Sequence, residues 1–280
     1  MVRSGFPIGS EKSAEIWTCV QVLLTFLSMS RTRAAAVQSG TPEDMLRKAT
    51  LARSAGMRAK YAQRGLDHRG VERTTRAMLL RQLYLSHMEA KRFADALSIA
   101  QQMVTMGVMP DVARQDAARA CIGLGQREAA IEHLRLASRV SPASRRAFHL
   151  WTLGSVLYLE ERHRDAIGAL SRASRWGTTD KPLYQAQLAL ARIAAGEQVS
   201  DVKTLRERLA EAPCGQGYGR FVLGELAFKE GDFEAARHYL RAFVRRSTTG
   251  RVALAVALQA EINRARRLLA QMRGKALPAE

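Results

Sequence analysis

Cysteine is rare in this chain, and the few present do not combine. Only Cys19, Cys121 and Cys214 occur in 280 residues, far apart and in no CxxC or Cys/His spacing. That excludes a disulfide framework and a zinc site, and it fits reduced thiols in a cytoplasmic protein. Proline is scarce at 7, β-branched runs are few, and no stretch of strand length alternates cleanly. Helix is therefore the default state of the backbone. Catalytic patterns are missing too. The six histidines (His68, His87, His133, His149, His163 and His238) form no HExxH or other ligand spacing. Gly215, Gly217 and Gly219 follow no strand and lack GxGxxG or Walker spacing, so they read as a loop. Cys121 falls at a packing position and reads as core. No catalytic residue, metal ion or cofactor is expected, and the chain reads as a non-enzyme.

Hydrophobic residues make up 47% of the chain, enough for a substantial core, and Ala, Leu and Arg, all good helix formers, dominate. The formal charge is +18, unevenly spread: +6 over residues 41–82, +6 over 231–280 and only +4 over 83–230. Basic flanks admit an acidic partner, anionic lipid or nucleic acid. Lysine accounts for only eight of the cations. Arg- and Ala-rich usage also reflects a GC-rich, bacterial genome, in which arginines mostly coat helix surfaces.

Near the N-terminus, Val20 to Leu27 (VQVLLTFL) is an apolar run of eight residues, far too short to span a bilayer. Arg3 and Lys12 before it and Ala34, Ala35 and Ala36 after it suit a secretory signal. Glu11, Glu15, Arg31 and Arg33 count against export. Three readings of residues 1–40 stay open: a signal, a start placed upstream of Met29, and a poorly packed extension.

Beyond it the sequence repeats. The unit AFHLWTLGSVLYLEERHRDAIGALSRASRWGTTD begins at Ala147; another, GYGRFVLGELAFKEGDFEAARHYLRAFVRRST, begins at Gly217. Leu153-Gly154 precedes Ala166, Leu170 and Ala173; Leu223-Gly224 precedes Ala236, Leu240 and Phe243 at the same offsets. Upstream, Ala117-Ala118 precedes Ala130, Leu134, Ala137 and Pro142, and Leu83-Tyr84 precedes Ala96, Ala100 and Met103. Unit starts at 77, 111 and 147 lie 34 and 36 residues apart. A weaker unit fills 181–216, with helices around Tyr184–Ala195 and Val202–Ala210. Small residues at 118, 154 and 224 facing Ala130, Ala166 and Ala236 let two helices approach closely, while Leu134, Leu170 and Leu240 fill the layer. Gly125 and Gly231 punctuate the turns. One helical hairpin cannot bury its apolar face, so the units have to stack.

Over about residues 77–248 this pattern resembles the tetratricopeptide repeat family, a 34-residue helix–turn–helix with a W-x2-L-G-x2-Y…A-x3-F…P pattern. The match lies in the Leu-Gly pair, the central alanine and the later small residue. The aromatic three residues before the leucine is replaced by Leu150 and Arg220, and the closing proline is present only as Pro142. The resemblance implies an all-α, right-handed α-solenoid. Its units would be 77–110, 111–146, 147–180, 181–216 and 217–248. Residues 41–76 would form an N-terminal capping helical pair with Thr41 as N-cap, Pro42 at the first position and Gly56 interrupting. Residues 249–280 would be one C-terminal capping helix and a tail.

The resemblance also implies a concave groove lined by the second, fifth, ninth and twelfth residues of each unit. These are Met78, Arg81, Leu85 and Met88; Val112, Gln115, Arg119 and Ile122; Phe148, Trp151, Ser155 and Tyr158; and Tyr218, Phe221, Glu225 and Phe228. Aromatics are 6% of the chain yet gather here, and aromatic or Met-rich surfaces suit protein recognition. Packing against a neighbouring helix is the competing reading of each ring. The lysine/asparagine clamp of chaperone-binding members is not reproduced by Arg81, Leu85, Gln115, Arg119, Trp151 and Ser155. A separate basic surface is formed by Arg237, Arg241 and Arg245, one turn apart, with Arg264 and Arg267 nearby. The sequence thus predicts an interaction scaffold holding a partner peptide or helix in an aromatic groove. The alternative is a basic surface binder of nucleic acid or anionic membrane.

Overall fold

The computed structural model describes residues 40–250 and 252–273. The three readings of the N-terminal extension, Cys19, Arg251 and the final tail lie outside these residues. Fourteen α-helices and no strand occur among the described residues. They are α1 (Pro42–Leu51), α2 (Ala55–Leu66), α3 (Arg73–Glu89), α4 (Phe93–Met106), α5 (Pro110–Gly123), α6 (Arg127–Val140) and α7 (Ala143–Leu159). Then come α8 (His163–Trp176), α9 (Lys181–Ala194), α10 (Val202–Glu211), α11 (Gly219–Glu230), α12 (Phe233–Thr249), α13 (Val252–Ala257) and α14 (Gln259–Arg273).

Local chemistry sets the boundaries. The Thr41 hydroxyl accepts from the Asp44 amide at 3.2 Å, and Pro42 opens α1 where its missing N–H costs nothing. The break between α1 and α2 falls at Ala52–Ser54, where Ser54 caps α2; Gly56 lies inside the new helix instead of interrupting the old one. The Asp232 carboxylate accepts from the Ala235 amide at 3.1 Å and starts α12.

Consecutive helices pack against one another along the chain, and two of the joints are built alike. A Cβ added to Gly154 would lie 2.5 Å from Leu170 Cγ, and one added to Gly224 would lie 2.6 Å from the same atom of Leu240. The two glycines therefore let α7 meet α8, and α11 meet α12, at backbone-limited distance. At the corresponding joint between α5 and α6, Ala118 and Leu134 are both fully buried. Polar contacts between successive units recur at similar spacing. Arg81 Nε donates to Asp116 Oδ2 at 2.8 Å across 35 residues. Arg145 Nε donates to Asp111 Oδ2 at 2.8 Å across 34 residues. The Trp151 indole N–H donates to Gln187 Oε1 at 2.6 Å across 36 residues.

Two apolar clusters run through the chain. One joins Leu80, Tyr84, Met88, Ala96, Ala100 and Met103 to α5 through Ala113, Ala117 and Ala120. The larger one begins on the other side of α5, at Ala118 and Cys121, and extends to Ile262, Ala265 and Met272 of α14. The C-terminus departs from the single capping helix expected over 249–273. The chain breaks after Thr249, where the capping segment was expected to begin, and forms α13, which contacts α3; the departure is the second break, at Leu258, after which α14 packs on α12 and α11. Val256 of α13 lies against the first cluster and α14 belongs to the second.

Candidate functional site

The helices α3, α5 and α7 share a face that the C-terminal helices cross. A cavity of about 340 Å3 remains between them. Leu85, Ile122, Phe148, Trp151 and Val156 line one side, and Ala253, Leu254, Ala257 and Leu258 the other. Arg58, Arg81, Arg119 and Arg246 also line it, with Glu89 and Glu261. Residues drawn from both ends of the chain thus meet here, although the sequence pattern drew attention only to the repeats.

Beside the cavity lies a buried polar cluster. The Tyr158 hydroxyl donates to Glu225, and Arg264 Nε also donates to that carboxylate. Arg264 Nη2 donates to the Tyr158 oxygen at 3.0 Å, with its guanidinium carbon 4.9 Å from the centroid of that ring. Burial opposes the charge on Arg264, but the Glu225 carboxylate more than offsets this and holds the guanidinium charged. Burial raises the Tyr158 phenol well above its ordinary value, and Glu225 reinforces the shift. Glu261 is pushed up to about 7, mainly by burial, with Tyr218 and Arg119 pulling it back down. Farther along, Asp111 is held well below the carboxylate range. Burial alone would raise it, but hydrogen bonds from His149 and Arg145 prevail.

Most of the rings expected in a groove are enclosed. Tyr158 and Phe221 have no exposed surface, so neither offers a partner anything to rest on. Phe221 packs on Phe243 with centroids 5.3 Å apart. Trp151 is 7% exposed and stands edge-on to Tyr218 at 5.0 Å, itself nearly covered. Ser155 is buried and its hydroxyl donates back to the Trp151 carbonyl at 2.9 Å. Gln115 and Arg81 are buried, the latter by its pairing with Asp116. Arg119, Phe148 and Phe228 are partly exposed, and Ile122 is exposed. Phe228 lies 5.7 Å from Phe233, outside the cavity lining. The physical reason for the enclosure is packing between helices: Tyr184, Gln187 and Tyr218 cover Trp151, Phe243 covers Phe221, and Arg264 of α14 closes over Tyr158.

The basic surface divides as well. Arg264 leaves it for the Glu225 carboxylate, and Arg237 Nη2 donates to the Met272 carbonyl at 2.9 Å. Arg241, Arg245 and Arg267 stay exposed. Sequence reasoning missed Glu261 and Leu254 as neighbours of this site; only their apolar and acidic character on a predicted capping helix was visible.

Cys121 and Cys214 are buried free thiols, their pKa values raised chiefly by burial. Among the described residues, no group of three or more His, Cys, Asp and Glu could hold a metal ion. No described helix is long and apolar enough to cross a membrane.

With this geometry in view, the comparisons are informative about shape. The chain resembles BtubC (BKLC) from P. vanneervenii. The TM-score is 0.50 at 16% identity, covering 84% of this chain and 95% of that one. At that identity the likeness concerns the fold alone. No family model matches the sequence, and no curated protein matches it.

Proposed function

We propose that this chain is a tetratricopeptide-type right-handed α-solenoid that serves as a non-catalytic, cytoplasmic scaffold. It would bind a partner segment on the face of α3, α5 and α7. The recurrence of the Gly154–Leu170 and Gly224–Leu240 joints supports the repeat reading, because two units solve the same packing problem with the same pair. The observation that carries the binding reading is α13. A short apolar helix already lies over this face, it contains no fully buried residue, and it leaves a cavity beneath it. A face that holds a helix so loosely suits exchange for a better-fitting one.

Trp151→Ala and Tyr158→Ala are poor tests, because removing buried aromatics costs about 3–5 kcal/mol of stability wherever the partner binds. Leu85→Glu and Ile122→Glu alter the cavity wall at half-buried and exposed positions instead. We expect a partner captured from cell lysate at high salt, after nuclease treatment, to be lost in this double variant. Undiminished capture by the variant would remove the concave face from the account.

The exposed Arg241, Arg245 and Arg267 support a second reading, in which the chain docks on nucleic acid or anionic membrane. Its mark is binding that falls steeply with salt and is abolished by Arg241→Glu with Arg245→Glu.

A further inference from the structure

Trp176 is the one Phe, Tyr or Trp side chain among the described residues that stands exposed. It keeps 49% of its surface in solvent at the C-terminal end of α8. The guanidinium carbon of Arg146, in the first turn of α7, lies 5.4 Å from the ring centroid. The same guanidinium donates from Nη2 to the Ser141 carbonyl at 3.1 Å, and Ser141 directly follows Arg139 and Val140. The ends of α6 and α8 are thereby tied into one edge. Val140, also exposed, stands ten residues after Ala130 as Trp176 stands ten after Ala166, so successive units present both side chains at one register.

Charge at this edge is of one sign. Arg139, Arg172 and Arg175 are exposed and Arg146 is half-buried, and among the described residues none of the four has a carboxylate partner. No acidic residue occurs in α7. Glu128 and Glu132 of α6 and Asp165 of α8 are already paired, with Arg162, Arg135 and Arg162 in turn. Asp180, in the turn beyond Trp176, is hydrogen-bonded to Tyr184. The negative ends of the helix dipoles account for cations in a last turn. They do not account for a tryptophan held in water among them.

We propose that this edge binds single-stranded nucleic acid, one base stacking on Trp176 and the flanking phosphates meeting Arg139, Arg172 and Arg175. An exposed ring backed by a guanidinium is a stacking platform for any base, and the arginine forks match phosphate oxygens. An acidic peptide fits less well. A protein anchor needs a desolvated pocket around it, whereas Pro142, Ser144 and Thr178 in the adjoining turns are small and exposed. The site rests on α6, α7 and α8 and does not depend on the scaffold reading or on the arginines of α12.

The test is fluorescence-anisotropy titration of dye-labelled oligothymidylate with the full chain over a range of salt. Saturable binding is expected, falling steeply with salt. Trp176→Ala should weaken it about tenfold, the size of one base–aromatic stack, and Trp176→Phe should recover most of the loss. Arg139→Gln with Arg175→Gln should lower the slope of log affinity against log salt by about 1.4, since each single-strand phosphate contact contributes roughly 0.7. All three side chains are exposed, so the melting temperature should stay unchanged in each variant. Arg241→Glu with Arg245→Glu should leave the dependence on Trp176 intact. The inference is overturned by absence of saturable binding, by unchanged binding in Trp176→Ala, or by equal affinity for a duplex of the same length. Equal or tighter binding of polyglutamate overturns it in favour of an acidic peptide. Loss in the Arg241 and Arg245 variant without loss in Trp176→Ala overturns it in favour of the α12 surface.

Discussion

Single atoms decide whether neighbouring helices can meet. At Gly154 the space for a methyl group is already taken by Leu170, with the Ala166 carbonyl 3.4 Å from the same point. Gly154→Ala gains helix propensity but overpacks the joint, so a net loss of about 1–3 kcal/mol is expected in denaturant unfolding. Combining it with Leu170→Ala should recover part of the local strain, which a double-mutant cycle measures. Glu261 makes the second prediction at this scale. Its carboxyl titrates at about 7 in the folded chain against an ordinary 4.5, so the folded state keeps a proton that the unfolded state has released. The stability tied to that proton is complete below pH 4.5 and is lost as pH rises through 7. At roughly 1.4 kcal/mol per pKa unit, the window is worth about 3 kcal/mol at most. Glu261→Gln should be more stable than wild type at pH 8 and should flatten this part of the profile. A variant no more stable at pH 8 would mean that Glu261 reaches solvent.

Between helices, the turns carry a regular backbone device. Gly125, Gly196 and Gly231 have φ of 75°, 85° and 81°, and Lys91 and Glu161 occupy equivalent turns at 56° and 59°. A side chain in the left-handed region costs about 1–2 kcal/mol that glycine avoids. Part of that gain is returned through the greater freedom of glycine in the unfolded chain. Glu161→Gly should therefore stabilise by up to about 1 kcal/mol, and a rise in the unfolding midpoint would register it. A lowered midpoint would mean that Glu161 contributes more through its contacts than its backbone costs. The turns at Gly125 and Gly231, and the Gly154 and Gly224 joints, were legible in the sequence because they depend on residues close together in one unit; the left-handed Lys91 and Glu161, which carry no glycine to mark them, were not. The break at Leu258 was not legible either. Val252, Leu254, Val256 and Leu258 continue an apolar pattern with no proline to stop it, so 249–273 read as one helix. Its interruption at Leu258 accompanies contacts of α13 with α3 and of α14 with α11 and α12, which is long-range information.

For the molecule as a whole, the distinction between groove and core turned on what covers a surface. Tyr158 sits at a position that stacked repeats would present outward, yet it is enclosed by Arg264, 106 residues later in the chain. No periodicity reports such a contact. The same closure takes Arg264 out of the basic surface and brings Glu261 to the cavity. The molecule thus has a well-packed cap in α14 and a loosely seated cover in α13, joined in sequence but unequal in burial.

That inequality is the centre of the functional account, and hydrogen exchange on the full chain measures it directly. Amides of α13 should exchange far faster than those of α14, α3 and α5, by local opening that leaves the rest of the chain folded. Protection of α13 equal to that of α14 would contradict the account, because the face of α3, α5 and α7 would then be closed core with no room for a partner.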